Sequence, residues 1–472
     1  MTSTVKPSPP THKWDISAAK HMKIDEEIDP KMYDLPTIID PMEAERYIEG
    51  LMKFKVEDVG SSRWLDQHAH LEKLNLQAHQ SAMSNSDEYI IESLLTFSKL
   101  EVLIHDLLII EAWKENVFPQ LKQRVAGRNS IRIYFVLYHE ATVVNLLEVL
   151  LYHKHICENG GEQMLELVDY VARKLTRLQS GYDFRSHDPS SGLSAKEYAA
   201  ALEAKTPEQE LTQHLTEIEF RVCISACAIA RFLCEHADAL PLSVVSRITD
   251  THDMLVLMIP LIENPPWTRR LDNGKWQKLI DSKWTNVVPI DLMKITKLEG
   301  QPWLSLYHLM AKSVFRERYH LNSFRKAQAL RVRKYINDVL LDQLPFLADI
   351  QRYMDELAIT DVPEPHSSGN SVFLFQQVAV ARETLVKGKN WEEIANYQME
   401  KIFTMTDKDD KDLKKMSDLY SNDLVQGVLD PNGQEIPSMV PEGGGEEEEV
   451  AVAAVSDKIV DLGSLGELGT LD

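Results

Sequence analysis

The sequence predicts an all-α protein in which helices stack on one another. From Pro41 onward the apolar residues recur with a helical period almost everywhere, and the alternation expected of strands is rare. Three segments also share one spacing, with apolar residues at i, i+4 and i+7 on helices that are apolar on more than one side. Such helices suit a stack, because each is covered by the units before and after it.

The distances between these segments favour an armadillo/HEAT-like repeat. Leu103 and Val143, which open the first two apolar sets, are 40 residues apart, close to the repeat length of about 40–47 residues in that class. The third set opens 111 residues further on, which leaves room for two or three more units. An irregular helical bundle is the alternative. The three sets are Leu103, Leu107 and Ile110; Val143, Leu147 and Leu150; and Met254, Met258 and Leu261.

Composition divides the 472 residues into three parts. Residues 1–38 carry five prolines in a polar, charged stretch, which predicts a weakly ordered N-terminal segment. Residues 39–429 are predicted to form the armadillo-like helical domain, interrupted by a polar insert at 180–207. Residues 430–472 contain eleven acidic residues and one lysine. We expect this part to be a disordered acidic Gly/Leu tail, or else a short docking peptide that orders on a partner.

Charge and cysteine content limit the class of protein. The chain has a net charge of −22, which makes it a poor general binder of nucleic acid. Its four cysteines are too few for a disulfide framework, which favours a reduced intracellular compartment. No stretch is uniformly apolar over the roughly 18 residues of a membrane span, and the N-terminus lacks a signal-peptide core. The sequence therefore predicts a cytoplasmic protein that is neither secreted nor transmembrane.

One region departs from the helical pattern. Residues 264–289 contain Asp-Asn-Gly followed by two short runs, KWQKLI and KWTNVV, and this pattern predicts a β-hairpin at about 273–289. The hairpin carries Trp276 and Trp284. These side chains either anchor it to the helices or form a docking surface, since tryptophan is favoured at binding hot spots.

The segment RWLDQHAHLEKLNLQAH concentrates histidines and acids. On a helix His68 and Glu72 share a face, whereas His68 and His70 are about 200° apart. The segment lacks HExxH, the spacing that places two imidazoles one turn apart for zinc. The same pattern fails at His139 and Glu140, where HEATV has no second histidine. Neither segment is predicted to bind a metal.

The cysteines also fit a structural role. Cys223, Cys227 and Cys234 fall on one apolar stripe of a helix with Ala230, where cysteine behaves as a small hydrophobic residue. The sequence contains no phosphate-binding glycine loop and no nucleophile elbow. We therefore expect no catalytic residues, no cofactor and no metal. A metal-dependent hydrolase built on histidine and aspartate is the less favoured alternative.

A basic stretch, residues 315–334, contains seven arginines and lysines. On helices these make a positive stripe beside an apolar one formed by Phe324, Leu330, Val332 and Ile336. The stripe is either a solvated face or a seat for an acidic partner, and the chain's own tail is one acidic candidate.

Several blocks of sequence, in a fixed order, carry a family resemblance. They are RWLDQHAHLEKLNLQA, EAWKENVFP, YHEATVVNLLEVLLYHKHICE, MLELVDYVARKL, NPPWTRR, KLEGQPWLSLYHLM, LNSFRKAQALRVRKYINDVLLDQLPFLADIQRYMDEL and GKNWEEIANYQMEKIF. Over roughly residues 42–425 the chain resembles the family of zinc finger MYND domain-containing protein 10, which are dynein axonemal assembly factors.

The resemblance implies a cytoplasmic co-chaperone that acts near basal bodies and helps to fold and pre-assemble axonemal dyneins for motile cilia. It implies four kinds of protein partner: a leucine-rich-repeat assembly factor with a CS domain, an Hsp90-class chaperone, an FKBP-type immunophilin, and axonemal dynein heavy or intermediate chains. It implies no nucleic acid, no membrane and no catalysis. The alternative within binding proteins is an armadillo-type adaptor that carries cargo into cilia.

The chain departs from the family at one point. The family ends in a MYND zinc finger built from cysteine pairs and a histidine, whereas no cysteine follows Cys234 here. We therefore expect the finger to be missing, and contacts that the family associates with it to lie on the helical body or the tail.

Polar and aromatic residues of the matching blocks and of the hairpin are the candidates for partner contact, although each could equally be a local cap or a salt-bridge member. They are His68, Glu72, Lys73, Asn75, His139, Glu140, Trp276, Trp284, Arg325, Arg331 and Arg333.

Overall fold

The computed structural model describes residues 37–84, 86–126, 131–180, 205–271, 273–280, 283–361 and 379–404. The predictions for most of the N-terminal segment, for nearly all of the polar insert and for the acidic tail lie outside these residues.

The described part of the chain is helical apart from one small sheet. Its eighteen α-helices, numbered in chain order, are α1 (Pro41–Gly50), α2 (Ser62–Ser84), α3 (Tyr89–Thr96), α4 (Leu100–Asn116), α5 (Phe118–Ala126), α6 (Ile131–Tyr152), α7 (Lys154–Asn159), α8 (Gln163–Gln179), α9 (Pro207–Glu235), α10 (Leu242–Ser246), α11 (Met254–Glu263), α12 (Lys297–Ala311), α13 (Ser313–Arg316), α14 (Ser323–Val332), α15 (Asp338–Gln343), α16 (Leu347–Ile359), α17 (Ala381–Val386) and α18 (Trp391–Lys401).

Local sequence explains where the main helices begin. At α9 the Thr206 side chain accepts from the Gln209 amide, and Gln209 in turn accepts from the Thr206 amide, with Pro207 at the first helical position. The same reciprocal box starts α12, between Thr296 and Glu299. These caps satisfy amide groups that have no partner within the helix.

Helices α6 and α9 form the centre of the stack. Helix α6 packs against α2, α4 and α9, and α9 packs also against α8 and α12. All nine residues of the three predicted apolar sets are at most 1% exposed. The prediction of an all-α helical stack is therefore confirmed. The packing also explains why these helices are apolar all round, since each is covered on several sides.

Helix α6 corrects one expectation. Arg132–Tyr152 is long and apolar enough to cross a membrane by length and composition alone, with a hydropathy of 1.3. Its most apolar window is 94% buried inside the protein, and this is also how the core helix of a folded domain is placed. It is the only such helix in the described residues.

The predicted hairpin is present, and a third strand extends it. Strands β1 (Thr268–Arg270), β2 (Trp276–Ile280) and β3 (Lys283–Val287) form an antiparallel sheet in the order β1-β2-β3. Leu279 pairs with Trp284 across the β2–β3 ladder. The Trp284 ring stacks on Phe220 of α9, with centroids 6.2 Å apart, so the sheet lies against the helices, as a small hairpin requires for stability.

The last described helices return to the first part of the chain. The Trp113 indole donates to Gln398 of α18 (2.7 Å), and the Gln398 amide donates to the backbone oxygen of Val56 (2.9 Å). Residues 285 positions apart thus form one buried contact.

Candidate functional site

Two adjacent clusters of buried polar side chains occupy the interior near α6. The first, called the histidine cluster, consists of His68, Glu72, Asp106 and His139. The second, called the ionic cluster, consists of Lys114, Glu140, Tyr170, Lys174 and Glu219. His139 and Glu140 are neighbours on α6, and thus the two clusters meet there.

The histidine cluster joins three helices. The Nδ1 atoms of His68 (α2) and His139 (α6) are 3.1 Å apart, a hydrogen bond in which one ring donates to the other. Asp106 of α4 lies 3.7 Å from His139 Nε2, and Glu72 lies 3.9 Å from His68 Nε2. The prediction that imidazoles diverge holds along one helix, but the fold brings together two histidines from different helices.

Burial controls the charge in this cluster. It lowers the pKa of His139 to about 3 and lowers that of His68 well below its usual value. It also raises the pKa of Asp106 to about 7, and raises that of Glu72 to about 7 against a hydrogen bond from Thr142. Both rings are therefore neutral near pH 7, and the two carboxyl groups keep their protons to a higher pH than exposed carboxyl groups do.

In the described residues no group of three or more His, Cys, Asp or Glu side chains is arranged to hold a metal ion. All four cysteines are free and buried. Burial raises the pKa of the Cys157 thiol to about 12 and that of Cys227 to about 12, which leaves little reactive thiolate. The prediction that Cys223, Cys227 and Cys234 pack as small hydrophobic residues is confirmed, since each is at most 1% exposed.

The ionic cluster surrounds Glu140, which is fully buried. Its carboxylate accepts hydrogen bonds from Lys114 (2.8 Å) and from Tyr170 (2.7 Å), and it forms an ion pair with Lys174 (2.6 Å). Burial alone would raise the pKa of Glu140, but the two lysines outweigh it and hold that pKa far below its usual range. Glu219 of α9 lies 3.6 Å from each lysine. The charges therefore compensate one another away from water.

A partly exposed set of ion pairs extends this cluster to the surface. Glu111 of α4 binds Arg173 through two nitrogens and also accepts from Arg382 of α17 (3.0 Å). The Ala381 amide donates to Glu166 at 2.6 Å. Of the ionic cluster and the ion pairs that extend it, the sequence analysis singled out only Glu140. The other residues were missed because the partners come from five separate helices, α4, α6, α8, α9 and α17.

The structure corrects the predicted partner-contact residues. His68, Glu72, Asn75, His139 and Glu140 are each at most 1% exposed, so none of them lies where a partner could meet it. They are polar residues that pair inside the protein. Only the remaining six candidates reach the surface.

The basic stretch binds the chain's own acids. Arg325 contacts Asp253 (2.7 Å), Arg331 contacts Glu263 (3.0 Å) and Arg333 contacts Asp355 (2.6 Å). The Arg331 and Arg333 side chains remain about half exposed. In the predicted apolar stripe Leu330, Val332 and Ile336 pack inward, but Phe324 is 60% exposed, so it does not belong to the buried side.

The remaining candidates are half-buried. Lys73 lies 3.2 Å from the Tyr47 hydroxyl. The Arg269 guanidinium lies 4.0 Å from the Trp284 ring centre, and Arg270 lies 5.7 Å from that of Trp276. These contacts, with the stacking on Phe220, show that Trp284 anchors the sheet.

A surface feature that the sequence did not reveal is an apolar groove of about 230 Å³, here called the Trp267 groove. It lies between α11, α12 and the turn Pro289–Met293. The Nε1–H of Trp267 is buried and has no hydrogen-bond acceptor within the described part of the chain. No short motif predicts the groove, because its walls come from separate segments. It is lined by Leu261, Ile262, Pro265, Trp267, Leu292, Met293, Ile295, Glu299, Trp303, Tyr335, Asn337 and Leu340.

This arrangement defines an all-α helical-stack protein with a charge-compensated interior and an apolar surface groove. The curated Zinc finger MYND domain-containing protein 10 homolog of Drosophila melanogaster is 29% identical to the chain over 350 residues, which are 74% of each protein. The chain is thus similar to this homolog over about three quarters of its length, and the resemblance found in the sequence blocks is confirmed. No family model matches the chain, and no solved structure matches it.

Proposed function

We propose that this chain is a cytoplasmic assembly factor for axonemal dyneins. It acts as a co-chaperone scaffold in the folding and pre-assembly of the heavy chains of inner and outer dynein arms, which motile cilia and flagella require. The observation that carries the proposal is the similarity over 350 residues. Most of these residues belong to the helical body, because residues 1–36 and 405–472 together are far fewer than 350.

The surface of the body supports a role in protein binding. Ile290 is 81% exposed beside the Trp267 groove, and Val288, Met293 and Val339 are exposed on the same chain segments. Exposed apolar side chains beside a groove are typical of interaction sites on folded proteins.

The proposed partners are those that the resemblance implies: the leucine-rich-repeat factor with a CS domain, an Hsp90-class chaperone, an FKBP-type immunophilin, and dynein heavy or intermediate chains. Residues 235–472 contain no cysteine, so a finger made of cysteine pairs does not lie there to bind them. The surface candidates for contact are Lys73, Trp276, Trp284, Arg325, Arg331 and Arg333.

The test is removal of the gene from a cell that builds motile cilia. We expect cilia of normal length that do not beat and that lack dynein arms in electron micrographs, with motility restored by the full chain. Normal dynein arms in the cells without the gene would refute the proposal.

Fractionation separates the assembly factor from a ciliary adaptor. An assembly factor stays in the cytosol of the cell body, whereas an adaptor travels with its cargo and is recovered from isolated cilia. A metal-dependent hydrolase would instead contain stoichiometric metal, which elemental analysis of the purified chain measures.

A further inference from the structure

The Trp267 groove has the size and lining of a site for aliphatic side chains. Its volume of about 230 Å³ exceeds the roughly 150 Å³ of an apolar cavity that holds benzene. The walls include Leu261, Trp303 and Leu340, which are apolar and offer no charge to a ligand.

The accessible wall of the groove is mainly apolar. Trp267 lines the groove but is only 1% exposed, and its indole N–H is buried beyond the reach of an occupant. A peptide segment with aliphatic side chains would therefore match the walls through apolar contact.

The chain contains such a segment at residues 462–471, LGSLGELGTL. Leucine recurs at every third position, and glycine follows three of the four leucines. In a conformation with three residues per turn the leucines would lie along one side. The glycines would leave neighbouring carbonyl groups unshielded by side chains.

The segment is tethered within reach of the groove. Residues 405–461 separate it from the last described residue, and at full extension this length of chain spans roughly 190 Å. A tethered segment has a high effective concentration, on the order of millimolar for short flexible linkers. The exposed Lys294 and Lys334 at the rim already pair with Asp291 and Glu263, so apolar contact rather than charge is the main attraction.

We propose that the Trp267 groove binds residues 462–471 of the same chain, with leucine side chains in the groove. This binding is independent of the role in dynein assembly.

The first test compares hydrogen exchange and radical oxidation in the full chain and in the double variant Leu465→Asp, Leu468→Asp. We expect the variant to exchange the amides of residues 290–295 several-fold faster and to oxidise Met293 several-fold faster. The control Glu467→Gln keeps the leucines and should match the wild type. Equal rates in the wild type and the double variant would overturn the proposal.

The second test alters the groove in the full chain. Ile290→Asp and Met293→Asp change exposed side chains, so the melting temperature should hold. Both should increase trypsin cleavage at Lys458, because the tail is released. The control Ile359→Asp changes a side chain that is 87% exposed on α16, and it should leave cleavage unchanged. Cleavage that is unchanged in the groove variants, or raised equally in the control, contradicts the proposal.

The third test identifies the source of the segment. A labelled peptide of residues 458–472 should bind the Leu465→Asp, Leu468→Asp chain, and it should not bind once Ile290→Asp is added.

A dilution experiment then shows whether the tail comes from the same chain. In the wild type the protection of residues 290–295 from hydrogen exchange should not depend on protein concentration. Protection that falls on dilution would mean that a second copy supplies the tail, and it would overturn binding within one chain.

Discussion

Individual residues in the histidine cluster oppose one another as the pH changes. Burial raises the pKa of Glu72 and Asp106 and lowers that of His68 and His139. The folded state therefore holds the carboxyl protons more tightly than the unfolded chain does, and it holds the imidazole protons less tightly. Between about pH 5 and pH 7 the two pairs change stability in opposite directions.

Replacing the carboxyl group of Glu72 isolates its contribution to the pH dependence of the free energy of unfolding. Folding raises the pKa of Glu72 from 4.5 to about 7, so the stability that it contributes is complete below pH 4.5 and is lost as the pH rises toward 7. Glutamine does not titrate. We expect the free energy of unfolding of Glu72→Gln, relative to the wild type, to increase by about 2 kcal/mol between pH 5 and pH 7.

Urea unfolding at several pH values measures this difference. Glu92→Gln, an exposed position on α3, is the control and should show no such increase. A difference for Glu72→Gln that stays constant with pH would mean that this carboxyl is not desolvated in the fold.

The ionic cluster predicts a large loss from one substitution. Lys114→Met removes a cation that contacts Glu140 and Glu219, both of which are buried. Breaking a buried ion pair from one side costs about 3–5 kcal/mol, because a charge is left without its partner. We expect a decrease of this size in the free energy of unfolding, measured by urea titration.

An exposed pair provides the comparison. Lys53 binds Glu101 at the surface, and Lys53→Ala should change stability by less than about 1 kcal/mol. Equal losses in Lys114→Met and Lys53→Ala would show that the position of the charge in the fold does not matter, contrary to the structure.

For individual residues, the sequence predicted which side chains share a face of one helix. It did not predict which side chains of different helices lie next to each other. The 100° rotation per residue correctly separated His68 from His70. It could not place His68 beside His139, 71 residues away, because that contact depends on how α2 packs on α6. Polar residues in the matching blocks therefore suggested a surface, although their partners are inside.

At the scale of elements, apolar spacing predicted the helices well. The sets headed by Leu103, Val143 and Met254 are buried as predicted, since their period alone requires cover on several sides. Strand β1 was missed because Thr268–Arg270 is only three residues long, too short for alternation to show. The groove was missed because its walls are separate in sequence.

Helix α18 is attached through a small number of polar contacts, which makes it a sensitive element. Gln398 accepts from Trp113 and donates to the backbone oxygens of Val56 and Glu57. Gln398→Ala leaves these buried groups unsatisfied, at a cost of about 1–3 kcal/mol. We expect faster hydrogen exchange in Trp391–Lys401, while α6 remains protected.

Glu400→Ala, an exposed position on the same helix, is the matched control and should keep wild-type exchange. If Gln398→Ala accelerates exchange in α6 as strongly as in α18, the helix is not a separable element and the whole body opens together.

At the scale of the whole molecule, the described body forms one contiguous core that extends from Ile39 to Phe403. The ion pair of Lys389 with Glu57 and the contacts of Gln398 close the far end of the chain onto the beginning. A body closed in this way presents its exposed surfaces at fixed positions, as a scaffold must. Its exposed side chains, which include Arg331 and Arg333, are therefore the parts that can engage a second protein.

The body, rather than the tail, should carry the proposed function. Residues 430–472 account for −10 of the net charge of −22, whereas most of the 350 residues similar to the Drosophila melanogaster homolog belong to the helical body. A chain without residues 430–472, expressed in cells that lack the gene, should restore dynein arms as fully as the intact chain does, as counted in electron micrographs of axonemes. The two chains must be compared at equal abundance by immunoblot. If the shortened chain reaches that abundance and the arms stay absent, the tail contributes directly to assembly, and the partner surface must include it.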